Sequence, residues 1–379
     1  MIYWLFEDYF SKAGLGFRIF GTGLLSFLIV IIFGPKMIRF LLKKKIGDNP
    51  DFDNAKLNEM NRHKANVPTM GGVLIVISIF VSVVFFANLT NLYIGSGLLG
   101  LVWLGGLGAW DDWLKLKAAR DGSGRDGLRS HEKLLFQIGI GVLLGAFVYK
   151  YGVYSRDISE AGAVINPSRL FYLPFKSEPI PLNGFAYTAI MVFVMTAFSN
   201  AVNLTDGMDG LATGCTLQVT AVLIVFTWIV GVVSWGNYFN MPSVDFASEM
   251  TLMLAAIFGA CLGFLWYNAA PASVYMGDTG SLALGGMLGY IAVVIRQEVV
   301  LFVAGGVFVM ETLSVMLQVS YFKYTRKRMG GVEGKRLFKC TPIHHHFHMS
   351  GWKPTKVVIR FWILGILFAM LALGTLKLR

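Results

Sequence analysis

Long apolar runs broken by short polar stretches set the pattern of this chain. A helix needs about 20 apolar residues to cross the hydrocarbon layer of a membrane. Ten segments meet that description, at 19–42, 68–90, 94–113, 133–152, 184–202, 210–233, 248–268, 279–295, 299–321 and 357–377. The predicted fold class is therefore an all-α integral membrane protein of about ten transmembrane helices, a single polytopic domain over residues 1–379. Gly285-Gly286 and Gly305-Gly306 permit close packing or a break, which leaves the straightness of spans eight and nine open. Polar connections at about 43–67, 114–132, 203–209, 269–278 and 322–356 are predicted as cytoplasmic loops. Residues 153–183, with Pro167, Pro174, Pro179 and Pro181, are predicted as irregular or hairpin structure outside the membrane.

Composition agrees with the pattern and adds a direction. Hydrophobic residues make up 55% and charged residues 15%, against about 25% charged in an average soluble domain. The net charge of +11 is localised, because 24 of the 33 Lys and Arg residues fall in the loops after spans one, three and nine or in the span ends that flank them. Cytoplasmic loops carry such an excess, so these loops are predicted inside and, with an even number of spans, both termini outside. A basic cytoplasmic face attracts anionic headgroups and phosphorylated substrates, although topology alone also accounts for most of the lysines. Met1 to Phe17 lacks a basic start with a small-residue cleavage site, so no removable signal peptide is read. Cys215, Cys261 and Cys340 have no paired spacing, so no disulfide framework or metal motif is implied. No nucleic-acid motif accompanies the basic residues. Self-association into a homo-oligomer is compatible with the sequence but is not read from it.

Three polar knots interrupt the apolar pattern, and all fall on the predicted cytoplasmic side. Asp111-Asp112 ends span three beside Trp110 and Trp113. The stretch Asn200 to Leu211, with Asn203, Asp206, Gly207, Asp209 and Gly210, joins spans five and six. Met276-Gly277-Asp278-Thr279-Gly280 opens span eight, shortly after Asn268 and Tyr275. Each has a plain structural explanation: a helix-end ion pair of Asp111 with Lys115, a polar turn at 200–211, and capping of the eighth helix by Asp278 or Thr279. Ionised groups at a hydrocarbon boundary are costly, however, so three such knots at one level mark a candidate site. Lys64 sits at the same mouth, in Arg62-His63-Lys64. Pro342-Ile343-His344-His345-His346-Phe347-His348 packs four imidazoles into five residues but lacks the cysteines and spacing of a structural zinc site, and contact with phosphate or carboxylate fits equally.

Taken together, Asp111-Asp112 with Lys115, the 200–211 stretch, Gly277-Asp278-Thr279-Gly280-Ser281-Leu282-Ala283-Leu284-Gly285-Gly286 and the histidine cluster resemble the phospho-N-acetylmuramoyl-pentapeptide transferase family over nearly the whole chain. The aspartate motifs are shared with the wider superfamily of polyprenyl-phosphate N-acetylhexosamine-1-phosphate transferases. Pro342 to His346 and Gly351-Trp352 point to the muramoyl-pentapeptide branch. The chain departs from it at His348, where members commonly carry an acidic residue.

The resemblance implies transfer of phospho-MurNAc-pentapeptide from UDP-MurNAc-pentapeptide to undecaprenyl phosphate in the bacterial inner membrane, with Mg²⁺ as cofactor and UMP released. It makes Asp278 the leading Mg²⁺ ligand and Asp111 and Asp112 further candidate ligands that face the acceptor phosphate. Lys64 would neutralise phosphate charge and Asn268 would support the metal site. Asn203, Asp206, Asp209 and Tyr275 would bind the uridine, and His344 and His345 would cover the diphosphate or sugar. The competing readings are a transferase that uses UDP-N-acetylglucosamine and, from another class, a membrane transporter that uses interfacial carboxylates.

Overall fold

The computed structural model describes residues 14–44, 67–121, 127–152, 157–158, 164–165, 170–173, 176, 179–239, 241, 244, 247–329 and 334–377. Thirteen α-helices occur in chain order among them: α1 (Gly14–Lys43), α2 (Gly72–Phe86), α3 (Leu92–Asp121), α4 (Ser130–Tyr151), α5 (Gly184–Thr205), α6 (Leu211–Val230), α7 (Val233–Tyr238), α8 (Met250–Asn268), α9 (Gly277–Val294), α10 (Glu298–Ala304), α11 (Gly306–Arg328), α12 (Ile343–Met349) and α13 (Pro354–Gly374). Every predicted span has a helix at its place. Seven are long and apolar enough to cross a membrane, and an eighth joins them if α10 and α11 count as one broken span. That pair is bent by 81° at Gly305, whereas α9 runs unbroken. Residues 153–183 hold two short antiparallel pairs where described, β1 (Asp157–Ile158) with β2 (Val164–Ile165) and β3 (Leu170–Phe171) with β4 (Ile180–Pro181).

The bundle is built around α9, whose residues from Asp278 to Val294 are all buried. A helix apolar on every side belongs in a core rather than at a surface. Small residues bring its neighbours in. A side chain at Gly285 would strike the Phe198 carbonyl of α5, one at Gly72 would strike the Gly280 backbone, and one at Gly108 of α3 would strike the Asp278 carbonyl. Such close approach is how membrane helices gain packing energy where apolar burial against lipid offers none. Outside this core, α1 and α13 turn Phe17, Phe20, Ile32, Ile363, Leu367 and Leu371 outward, an apolar surface suited to acyl chains.

One end of the bundle is tied by a buried ion pair. The Arg18 guanidinium of α1 donates to both Glu249 oxygens, at 2.6 and 2.7 Å, and its Nε donates to the Phe86 carbonyl at 2.9 Å. Glu249 also accepts from the Asn88 backbone N–H at 2.9 Å. Removing one partner strands the other charge, so Glu249→Ala should destabilise the protein by about 3–5 kcal/mol. Thermal unfolding of the purified variant in detergent checks this, and a melting temperature equal to that of wild type would mean the pair contributes nothing.

Candidate functional site

At the opposite end, α3, α4, α5 and α9 converge on three carboxylates. One oxygen from each of Asp111, Asp112 and Asp278 lies within 4.8 Å of the others, and all three residues are buried. Helix α3 does not stop at the end of its apolar run but continues to Asp121, so the aspartate pair sits within a helix rather than in a turn. Adjacent helical positions diverge by about 100°, and the two side chains accordingly do different things.

Asp112 points at the start of α9. Its Oδ1 accepts the Asp278 backbone N–H at 3.0 Å, and its Oδ2 accepts the Thr279 N–H at 3.0 Å and the Thr279 hydroxyl at 2.6 Å. The first N–H groups of a helix have no partner within it, and here a carboxylate from another helix supplies one, in the place where charge best complements the helix dipole. Gly277 makes this approach possible: its φ of +73° suits glycine, and a side chain there would meet Asp112 Oδ2 at 2.7 Å. The cap of this helix is thus Asp112, and the Asp278 side chain is left for other work.

Asp111 and Asp278 share two ammonium groups. Lys133 of α4 donates to Asp111 Oδ2 at 2.7 Å and to Asp278 Oδ2 at 2.6 Å. Lys115, one turn along α3, lies 2.8 Å from Asp111 Oδ2 and 3.3 Å from Asp278 Oδ1. The Leu128 N–H completes the shell of Asp111 at 2.7 Å. Three carboxylates therefore face two cations, an arrangement short of one positive charge and rich in hard oxygen donors. That is the donor chemistry that suits Mg²⁺.

The polar stretch between α5 and α6 divides between two surroundings. Asn203 lies in the last turn of α5 and reaches the carboxylates, donating to Asp278 Oδ1 at 2.8 Å and to Ser281 Oγ at 3.0 Å. Asp206 and Asp209 lie half-buried in the turn that follows, where Asp209 Oδ2 accepts the Ala272 N–H at 3.1 Å. Asn268 is a strut between loops: its Oδ1 takes the Gly210 N–H and the Thr213 hydroxyl, and its amide donates to the Val274 carbonyl at 3.0 Å. Tyr275, three residues before Asp278, is half-buried, with its backbone N–H on the Pro68 carbonyl at 2.8 Å. Lys64 falls outside the described residues, although nearby Pro68, Gly71 and Gly72 are bonded to Tyr275 and Met276. His344 and His345 are buried with ring centroids 4.1 Å apart, and their Nε2 atoms lie over Gly207.

The family pattern of glycosyl transferase family 4 matches residues 94–296. Three proteins named phospho-N-acetylmuramoyl-pentapeptide-transferase align over almost the entire chain. The one from Desulfotalea psychrophila is 42% identical across 96% of this chain and 93% of its own length. That from Chloroherpeton thalassium is 39% identical with both chains fully covered, and that from Chlorobium chlorochromatii 40% across 96% of this chain and 94% of its own. The chain belongs to the phospho-N-acetylmuramoyl-pentapeptide-transferase family.

In this member of the phospho-N-acetylmuramoyl-pentapeptide-transferase family, the stretch matched by glycosyl transferase family 4 runs from α3 through α9. It holds Asp111, Asp112, Lys133, Asn203 and Asp278, while α11 and α12 lie beyond it. Sequence reasoning overlooked two groups. Lys133 reads as one more topological lysine, and only the packing of α4 shows it bridging two carboxylates. Glu311 is an acid inside a predicted span, a signal that on its own marks a place worth explaining.

Proposed function

We infer that this chain transfers phospho-MurNAc-pentapeptide from UDP-MurNAc-pentapeptide to undecaprenyl phosphate at the cytoplasmic face of the bacterial inner membrane, giving lipid I and UMP. The observation that carries the reading is the cluster of Asp111, Asp112 and Asp278 with Lys115 and Lys133 at one end of an apolar bundle. A soluble anionic donor and a lipid acceptor can meet only at such a boundary. Ten membrane crossings with both termini outside fit this arrangement, since they put the basic loops and the cluster on the same side.

In the overall reaction an oxygen of the acceptor phosphate bonds to the sugar-bearing phosphorus of the donor. The bridging bond of the donor diphosphate breaks, and UMP leaves with the electron pair. Phosphoryl transfer of this kind depends mainly on positioning and charge neutralisation. Asp278, with Asp111 and Asp112, would hold Mg²⁺, which supplies positive charge beside the phosphates when bound. Lys115 and Lys133 keep the carboxylates spaced and offer ammonium groups to phosphate oxygens. Asp206, Asp209 and Tyr275 would bind the uridine, and Lys64, outside the described residues, would neutralise phosphate charge. A groove of about 820 Å³ between α4, α5 and α11, lined by Leu134, Ile138, Val142, Val192, Phe193 and Met316, begins at Leu134, the residue after Lys133, and offers the acceptor's prenyl chain an apolar bed.

Incubating purified protein and Mg²⁺ with undecaprenyl phosphate and each UDP-sugar, and measuring UMP, tests the reading. Release with UDP-MurNAc-pentapeptide supports it. Release only with UDP-N-acetylglucosamine, or none at all, overturns it.

Asp111 serves to position acceptor and cations rather than to remove a proton. Its oxygens are already engaged by Leu128, Lys115 and Lys133. A phosphate monoester with a second pKa near 6 is mostly dianionic at about pH 7, which leaves little for a base to do. The activity of Asp111→Asn relative to wild type should therefore stay uniformly low between about pH 7 and 9. A steep recovery toward high pH would make Asp111 the general base instead.

A further inference from the structure

Glu311 lies in the second turn of α11, directly after the 81° bend at Gly305, and is wholly buried. His344 of α12, also wholly buried, has its Nδ1 3.1 Å from Glu311 Oε2, an ion-pair contact whose angle does not make a hydrogen bond. The same oxygen accepts the His344 backbone N–H at 3.5 Å. The other carboxylate oxygen, Oε1, and the far ring nitrogen, Nε2, have no partner among the described residues. Nε2 instead lies over Gly207, in the turn between Asn203 and Asp209.

These features are expensive unless something uses them. A buried ionised carboxylate needs a partner, and among the described residues the cation-capable group within ion-pair distance of Glu311 is the His344 imidazole. A carboxylate beside one nitrogen of an imidazole favours a proton there, so the opposite nitrogen is the one turned away from it. Here that nitrogen lies over Gly207, in the turn proposed to face the nucleotide. A ring free to rotate about its side-chain bonds could not hold that aim.

We propose that Glu311 is the positioning residue of the site: it holds Nδ1 of His344 and so directs Nε2 toward the donor nucleotide's diphosphate. The inference rests on the transferase reading above. Glu311 itself touches no substrate. It acts through His344 of α12, from the second turn of α11 just past the bend at Gly305.

A double-mutant cycle tests it, using full-length purified protein, the UMP-release assay, and kcat and donor KM for each variant. Carboxylates that orient a functional imidazole are worth about 10–100-fold in comparable settings, so Glu311→Gln should lower kcat by about that factor with donor KM nearly unchanged. His344→Gln should lower kcat at least as far, and adding Glu311→Gln to it should cost nothing more. A merely structural glutamate would lower kcat by the same factor in both backgrounds, and that result overturns the proposal. So does wild-type turnover in Glu311→Gln. Should that variant fail to fold, Glu311→Asp keeps the charge but withdraws the oxygen, and the same cycle with His344→Gln decides between loss through the histidine and independent loss. An inactive wild type would refute the transferase reading instead, so the two failures are distinguishable.

Discussion

Asp278→Asn is expected to lower turnover by about 10²–10³-fold, the scale on which a single preorganised charge-stabilising group acts, while the folded protein remains intact. The structural reason for expecting stability to survive is that Asp278 is not the cap of its own helix. Asp112 performs that task through the Asp278 and Thr279 backbone N–H groups, which the substitution leaves in place. Removing one of three carboxylates that face two ammonium groups also leaves the cluster neutral rather than negative, so the variant should melt no lower than wild type. Activity titrated against Mg²⁺, with a melting curve of the same sample, checks both parts. Near-normal turnover at saturating Mg²⁺ would remove Asp278 from the site.

Gly108→Ala should be almost as damaging although it changes no chemical group. The added methyl would run into the backbone carbonyl of Asp278, and a backbone cannot swing aside as a side chain can. Helix α3 must then move away from α9, carrying Asp111 and Asp112 with it. A misplacement of about 1 Å is enough to cost roughly a hundredfold in rate, and overpacking costs a further 1–3 kcal/mol or so in stability. Gly106→Ala provides the comparison on the same helix, since a methyl there meets open space. Equal activity in the two variants would show that the contact between α3 and α9 tolerates more than its geometry suggests.

Most of the fold could be read from hydropathy, because a membrane helix must satisfy its backbone internally and so announces itself as an apolar run. The ends were less legible. Helix α3 passes well beyond its apolar run to Asp121, since Leu114 to Ala119 favour a helix and Asp111 pairs with Lys115, and no apolar window detects a helix that leaves the membrane. Helix α2 is shorter than predicted, ending at Phe86 where Asn88 and Asn91 begin a polar turn. In the site, the three aspartates stood out because carboxylates at apolar boundaries are rare. The resemblance groups Asn203 with the uridine residues. It belongs to the last turn of a helix, whereas Asp206 and Asp209 lie in the turn beyond, and the helix turns it toward Asp278. Lys133 was hidden among lysines that topology already explained, and Glu311 was passed over inside a span whose bend no hydropathy pattern reveals.

The capping of α9 by Asp112 joins groups 166 residues apart. A ribosome extends a chain by about 5–20 residues per second, so α3 is complete roughly ten to thirty seconds before its partner is made. Throughout that interval the Asp111-Asp112 pair has to stay hydrated, which a position at the end of a membrane helix allows and one at its middle would not. Once α9 arrives, its own unpaired N–H groups are what claim Asp112. The event that finishes the helix core is therefore the same one that first assembles the carboxylate cluster, and a chain caught earlier in synthesis carries neither.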